Sequence, residues 1–281
     1  MVSIILTTMN RAKILKERSL RSALNQKFSD YEVLVIDGGS DDSEKVVEES
    51  RRKHLYYFKV EPKGLSHARN FGIKKSKGEY IVCLDDDNEL MPDFLRKTID
   101  NIGDYDAITT GRVIQYKDFA HEAVPKLGRF CSIDWGWLIR RDVFDTIQYD
   151  EEMKANEDAD FGIQFFKRFK AKVIPDLLAV AYDEFGDPRN SMSFPNQREL
   201  RGMLHFLEKN LKEYDDPNEL RYLYRLCGRK FYRGGFRLKG LSFFWKSFRA
   251  CPNLNSFLNL FFILFGWTIY DKFMTLTEKL R

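Results

Sequence analysis

Three adjacent carboxylates, Asp85, Asp86 and Asp87, stand directly behind the apolar run Tyr80–Leu84 in GEYIVCLDDDNELMP. Carboxylate oxygens are hard ligands, so an Asp-x-Asp pair suits a divalent ion that also binds phosphate oxygens. Side chains alternate along an extended chain, which predicts Asp85 and Asp87 on one side with Asp86 opposed. The alternative is a solvated acidic turn. A second acidic pair, Glu157-Asp158, opens the helix-like segment NEDADFGIQF, where the macrodipole alone would favour it.

These groups need elements to hold them. Val2–Leu6, Glu32–Ile36, Leu55–Val60 and Tyr80–Leu84 are apolar runs rich in strand formers. Between them, Arg11–Gln26, a segment capped by Ser40 or Asp41, and Leu65–Lys77 have helical spacing. A further helix opens at Pro92 and Asp93. Strands alternating with helices predict a doubly wound, mostly parallel sheet. Open sheets of this kind bind ligands at the carboxyl ends of their strands, where Asp85 falls. Beyond residue 104 the rhythm changes. Asp106–Gln115, Cys131–Ile139 and Lys172–Tyr182 read as strands, Glu157–Lys170 as a helix, and everything from Phe194 onward as helical. The expected division is a catalytic domain over 1–193 and a helical extension over 194–281.

With 281 residues and 43% hydrophobic content, the chain can bury a substantial core, and disorder is not expected. Four scattered cysteines read as core thiols in a reducing compartment. No signal peptide is visible, so a cytoplasmic location is expected. Charge is uneven. From Leu220 to Tyr270 there are nine cations and no Asp or Glu; taking those nine from the net +4 leaves −5 for the rest.

The chain resembles the inverting nucleotide-sugar glycosyltransferases of family 2. VSIILTTMNR resembles their opening strand and loop, and VLVIDGGSDD their nucleotide-binding turn. GLSHARNFGIKKSKGEYIVCLDDDNELMP resembles the central segment, and NEDADFGIQF the later Glu-Asp motif. The resemblance implies a GT-A fold, a Rossmann-like parallel sheet flanked by helices. It implies Thr7, Asn10, Asp37, Arg69, Asp85 and Asp86 around the donor. Asp37 would accept from a base N–H, and Arg69 would lie near the diphosphate. Asp87 would ligate Mg²⁺ or Mn²⁺, with Asp85 on ribose or metal-bound water. Asp158 would be the general base, supported by Glu157. Trp135, Gly136 and Trp137 would shape the acceptor pocket; a core strand carrying both tryptophans on one face is the other reading.

The sequence departs from that pattern in places. Gly38 and Asn88 replace residues that are often acidic. A histidine that some relatives supply to the metal is missing, which leaves Asp183 or Glu184 as candidate substitutes. The four histidines present show no ligand spacing. In the tail, Arg221, Arg225, Arg229, Arg233 and Arg237 recur every four residues, with Gly234-Gly235 as a break. The apolar stretch Leu254–Tyr270 is short for a spanning helix. A peripheral contact between 220–270 and a cytoplasmic membrane face is expected, with a sugar or lipid-linked acceptor. Nucleic acid is not expected as a partner. Two other functions compete: a nucleotidyltransferase, whose Gly-rich phosphate loop is missing from TTMNRAK, and a nucleotide-sugar binding protein without catalysis.

Overall fold

A computed structural model describes residues 1–50, 52–182, 197–270 and 272. The chain divides into two compact units, Met1–Gly186 and Asp187–Arg281. The boundary expected at 193/194, and the candidate ligands Asp183 and Glu184, lie outside the described residues.

The first unit opens with β1 (Val2–Thr8), α1 (Ala12–Glu17), α2 (Ser19–Leu24), β2 (Tyr31–Asp37), α3 (Ser43–Ser50) and β3 (Leu55–Lys59). It continues with α4 (Leu65–Lys75), β4 (Tyr80–Asp85), β5 (Glu89–Leu90), α5 (Phe94–Asn101), β6 (Ala107–Gln115) and β7 (Ala120–Ala123). It ends with β8 (Trp137–Arg140), α6 (Val143–Thr146), α7 (Glu157–Phe166) and β9 (Ala171–Tyr182). Strand order is β3-β2-β1-β4-β8-β6-β9-β5, with β7 on β6. The β3-β2-β1-β4 half is parallel, while β8 runs antiparallel to both β4 and β6. This is the mixed, mostly parallel sheet of the GT-A fold.

Both faces of the sheet are covered, which is why β1 and β2 are buried throughout and mostly apolar rather than alternating. Ile4, Val33 and Val82 feed one core cluster; Ile5, Leu34 and Cys83 feed the other. Helix α4 lies close against the strands because Gly72 has no side chain. A Cβ there would stand 2.4 Å from Ile5 Cγ2. That approach carries Arg69, one turn earlier, in towards the end of β4.

Two sequence expectations change. The predicted helix Arg11–Gln26 is two short helices with a break at Arg18 (φ −117°, ψ −88°). The predicted strand Cys131–Ile139 is mostly loop, and only β8 pairs.

The second unit contains α8 (Gln197–Asn210), α9 (Pro217–Arg233), α10 (Arg237–Ala250) and α11 (Leu254–Leu264), with one 3₁₀ turn at Leu211–Glu213. Asp216 caps α9 and Asn253 caps α11. Phe244, Ile263 and Tyr270 form its buried centre. Among the described residues, no helix is long and apolar enough to cross a membrane.

Candidate active site

The parallel register sets the site. Thr8 lies opposite Asp37 on one side, and Thr7 opposite Asp85 on the other. Asp37 in turn faces Lys59 across β3. The ends of four strands thereby collect acid, base and hydroxyl groups on one edge.

On the β2 side, Asp37 is fully buried. It accepts hydrogen bonds from Gly39 N–H (2.6 Å), Tyr57 O–H (2.7 Å) and the Lys59 ammonium (3.0 Å). Lys59 also donates to the Gly39 carbonyl. Its partners fix the turn after β2. A base N–H could reach this carboxylate only by displacing the half-exposed Lys59. Asn10, left-handed at φ 57°, accepts from Ser40 N–H (2.6 Å) and so braces the same turn. Thr7 Oγ1 is buried with no hydrogen-bond partner.

At the end of β4 the three aspartates separate by partner. The strand ends at Asp85, and Asp86 and Asp87 form a turn. The alternation that the sequence predicts through Asp87 therefore stops at Asp85. Arg11 joins the pair expected to oppose each other, donating to Asp86 (2.8 Å) and to Asp87 (3.0 Å). Asp86 is buried and also accepts from Thr8 O–H (2.8 Å). Burial pushes its carboxyl up to about 6, against the pull of Arg11 and Thr8, with Asp87 and Asp85 adding repulsion. Asp85 and Asp87 stay open, their side chains 28% and 30% exposed.

Arg69 links the two acidic motifs. It is 2% exposed. It donates to Asp85 at 2.9 Å, while its other terminal nitrogen lies 3.5 Å from Glu157. The Tyr149 ring packs 5.2 Å from its guanidinium. Burial works against the charge, but Asp85 beside it keeps the guanidinium firmly protonated. One side chain on α4 thus ties the end of β4 to the first residue of α7.

Helix α7 begins after Asn156, a second left-handed non-glycine residue (φ 63°). Such conformations are strained for most side chains and least so for Asn. Burial raises the Asp158 carboxyl above its ordinary value, and the nearby Asp134 charge raises it further. The backbone N–H of Ala159 offsets part of this. Glu157 is raised mainly by burial, with Arg69 opposing. Asp134 is held by Arg112 through two hydrogen bonds (2.8 and 3.2 Å), and Arg112 stacks 4.8 Å from Trp135.

Trp135 and Trp137 do not share a face. Gly136 takes φ +73°, which interrupts the alternation. Trp135 joins one core cluster and Trp137 the other, where its ring meets Phe166 edge-on. Both indoles are buried.

The structure adds residues that the motifs did not supply. Arg11 sits within the opening-loop segment yet shows its role only once β1 and β4 are neighbours. Lys59 and Tyr57 need the β2–β3 register. Asp134 and Arg112 belong to a loop and a strand with no readable spacing.

The model for glycosyl transferase family 2 matches residues 3–174. The chain belongs to that family. Among solved structures, residues 1–349 of TarS from S. aureus superpose with a TM-score of 0.62 at 18% identity, covering 89% of this chain and 81% of that one. The mannosyltransferase PcManGT from Pyrobaculum calidifontis, in complex with GDP-Man and Mn²⁺, gives a TM-score of 0.59 at 16% identity, over 98% and 83% of the two chains. A GalNAc(5)-diNAcBac-PP-undecaprenol beta-1,3-glucosyltransferase from Campylobacter jejuni is 35% identical over 95 residues, 32% of this chain and 30% of that protein. This chain spans only 26% to 33% of the length of the first three curated relatives it matches.

Proposed function

We propose that this family-2 chain is a metal-dependent, inverting glycosyltransferase. It moves a sugar from a nucleoside-diphosphate sugar to an acceptor hydroxyl, in polysaccharide or glycolipid assembly. The observation that carries this reading is Arg69, buried between Asp85 and Glu157, which brings the strand-end carboxylates and the start of the Asp158 helix to one centre.

Each residue has a task that its surroundings suit. The turn braced by Asp37, Asn10 and Ser40 receives the nucleotide. Arg69 presents a guanidinium towards diphosphate oxygens. Asp158, with its raised proton affinity, accepts the proton of the acceptor hydroxyl as that oxygen attacks the anomeric carbon. The bond to the departing diphosphate breaks in the same displacement, so configuration inverts.

Asp85 and Asp87 fit a hard divalent cation: both are carboxylates, both are partly open, and both lie at the strand end. Among the described residues, no group of three or more His, Cys, Asp or Glu could hold one alone. Asp87 would therefore hold the ion, with Asp85 beside it and diphosphate oxygens completing the shell. When bound, the ion supplies positive charge to the leaving diphosphate. The relative from Pyrobaculum holds GDP-Man with Mn²⁺, and the name of the Campylobacter relative carries a diphosphate-linked lipid. Both support this choice of donor and acceptor class.

The test is a panel of UDP- and GDP-sugars with Mn²⁺, read by thermal shift and then by transfer. One donor should stabilise the chain only with the cation. Asp87→Ala should abolish that shift, and the product should carry the opposite anomeric configuration by NMR. A metal-independent shift that survives Asp87→Ala, or a retained configuration, overturns the reading.

A further inference from the structure

The arginine series of the second unit does not form the exposed stripe that its spacing suggests. Arg221, Arg225, Arg229 and Arg233 are only partly exposed. Arg229 and Arg233 lie 6.0 and 5.1 Å from the Trp267 ring. Burial lowers the Arg225 proton affinity, with repulsion from its arginine neighbours adding to the effect. Arg225, Arg229 and Arg233 are absorbed into the packing around Trp267 and Tyr270.

A different face is open. On α11 and its C-cap, Leu254, Phe257, Phe261, Leu264 and Phe265 are all exposed, Leu254 by 72%. Their spacing of 3, 4, 3 and 1 places them on one side of a helix. The opposite side carries Ile263 and Asn259 into the core. Aromatic contacts continue this face onto α10. Phe265 meets Phe261 (5.0 Å), Phe261 meets Phe257 (6.1 Å), Phe257 meets Phe248 (6.4 Å), and Phe248 meets Trp245 (5.8 Å). No charged residue occurs from Ala250 to Tyr270. Lys246 and Arg249 are exposed beside Trp245, and Arg237 and Lys239 are exposed at the start of α10.

We propose that the α10–α11 face docks in plane on an anionic lipid bilayer. The aromatic side chains of α11 enter the boundary between headgroups and acyl chains, and Lys246, Arg249, Arg237 and Lys239 meet the phosphate layer. An apolar helix face with cations on its flank is the pattern of an interfacial helix. A contiguous apolar patch on a soluble surface also marks an interaction site in general. Charge selects the lipid. The face is flanked by the exposed Arg237, Lys239, Lys246 and Arg249, and the 220–270 segment has no carboxylate, so a second copy of the same face would bring like charges together. An anionic leaflet provides the complement.

Flotation of the full chain with phosphatidylcholine vesicles, with and without phosphatidylglycerol, tests this. Binding should require phosphatidylglycerol and weaken as salt rises. Phe257→Ala/Phe261→Ala/Phe265→Ala should reduce partitioning by at least about tenfold, because three aromatic side chains no longer enter the bilayer boundary. Lys246→Glu/Arg249→Glu should reduce binding to the anionic vesicles comparably. Both variants change exposed side chains, so circular dichroism and Tm should match the parent. Their donor-induced thermal shift should also be unchanged, which separates this proposal from the transferase reading. Failure of the parent to float, flotation of either variant equal to the parent's, or a dimer that the phenylalanine variant dissolves each overturns it.

Discussion

Asp37 is fully buried and Asp158 partly so, and their surroundings are opposite. Asp37 has a backbone N–H, a phenol and an ammonium on its two oxygens. Asp158 faces burial and the charge of Asp134, with only backbone N–H donors of its own helix start and a more distant Arg69 in compensation. The donors around the first hold the turn after β2. The second makes its negative charge less favourable, so a proton is more welcome there. The same residue type is thus held by donors at one place and pressed towards its protonated form at the other.

The largest test of that contrast is Asp158→Asn. An amide cannot accept the acceptor hydroxyl's proton, so kcat should fall by about 10² to 10⁴. The donor-induced thermal shift should remain, because the change leaves the β2 turn and the end of β4 intact. The pH profile sharpens it. A base works only when deprotonated, so the rate must fall as pH drops through the Asp158 pKa. That pKa is raised, so the acid limb of kcat should lie above the ordinary aspartate range. Asp134→Asn removes one cause of the raise and should move the limb to lower pH. An acid limb that ignores Asp134, or an Asp158→Asn enzyme with parental turnover, would remove Asp158 from the role of base.

The other side of the contrast predicts a binding defect. Asp37→Asn leaves Lys59 without its charged partner and loosens the turn that Gly39 and Ser40 form. Loss of one charge-assisted bond corresponds to roughly tenfold in affinity. Donor affinity should drop by about that factor in a calorimetric titration, while kcat at saturating donor stays near the parental value. A loss confined to kcat would mean that the two carboxylates do not divide the work in this way.

The comparison also shows which parts of the molecule were legible beforehand. The first four strands are mostly apolar runs with turn residues at their ends, and local pattern is enough for those. The Asp-x-Asp and Glu-Asp motifs were readable as motifs. Their partners were not. Arg11 meets Asp86 and Asp87 across 75 and 76 residues of sequence, and Lys59 meets Asp37 through strand register, which no local spacing encodes. The loop Cys131–Gly136 looked like a strand because it is rich in large side chains. A single left-handed glycine ends the alternation and sends two tryptophans to opposite faces. The arginine period on α9 was real, but period alone does not say whether a helix face meets water or other helices.

Asp86 offers the smallest effect and the most specific one. Its carboxyl sits at about 6 in the folded chain, well above its ordinary value, chiefly because it is buried. Protonation therefore favours the folded state. The stability it contributes is fully present below the unfolded pKa, near 4, and is lost as pH rises through about 6. Asp86→Asn removes the buried charge while keeping a carbonyl for Thr8. Without added cation, it should raise Tm by a few degrees above pH 7, on the order of 1 kcal/mol, and the gain should shrink towards zero as pH falls below about 4. Melting curves across that range decide the matter. A destabilisation that is constant with pH would mean that the Arg11 bond outweighs burial, and that Asp86 acts chiefly as the partner of Arg11.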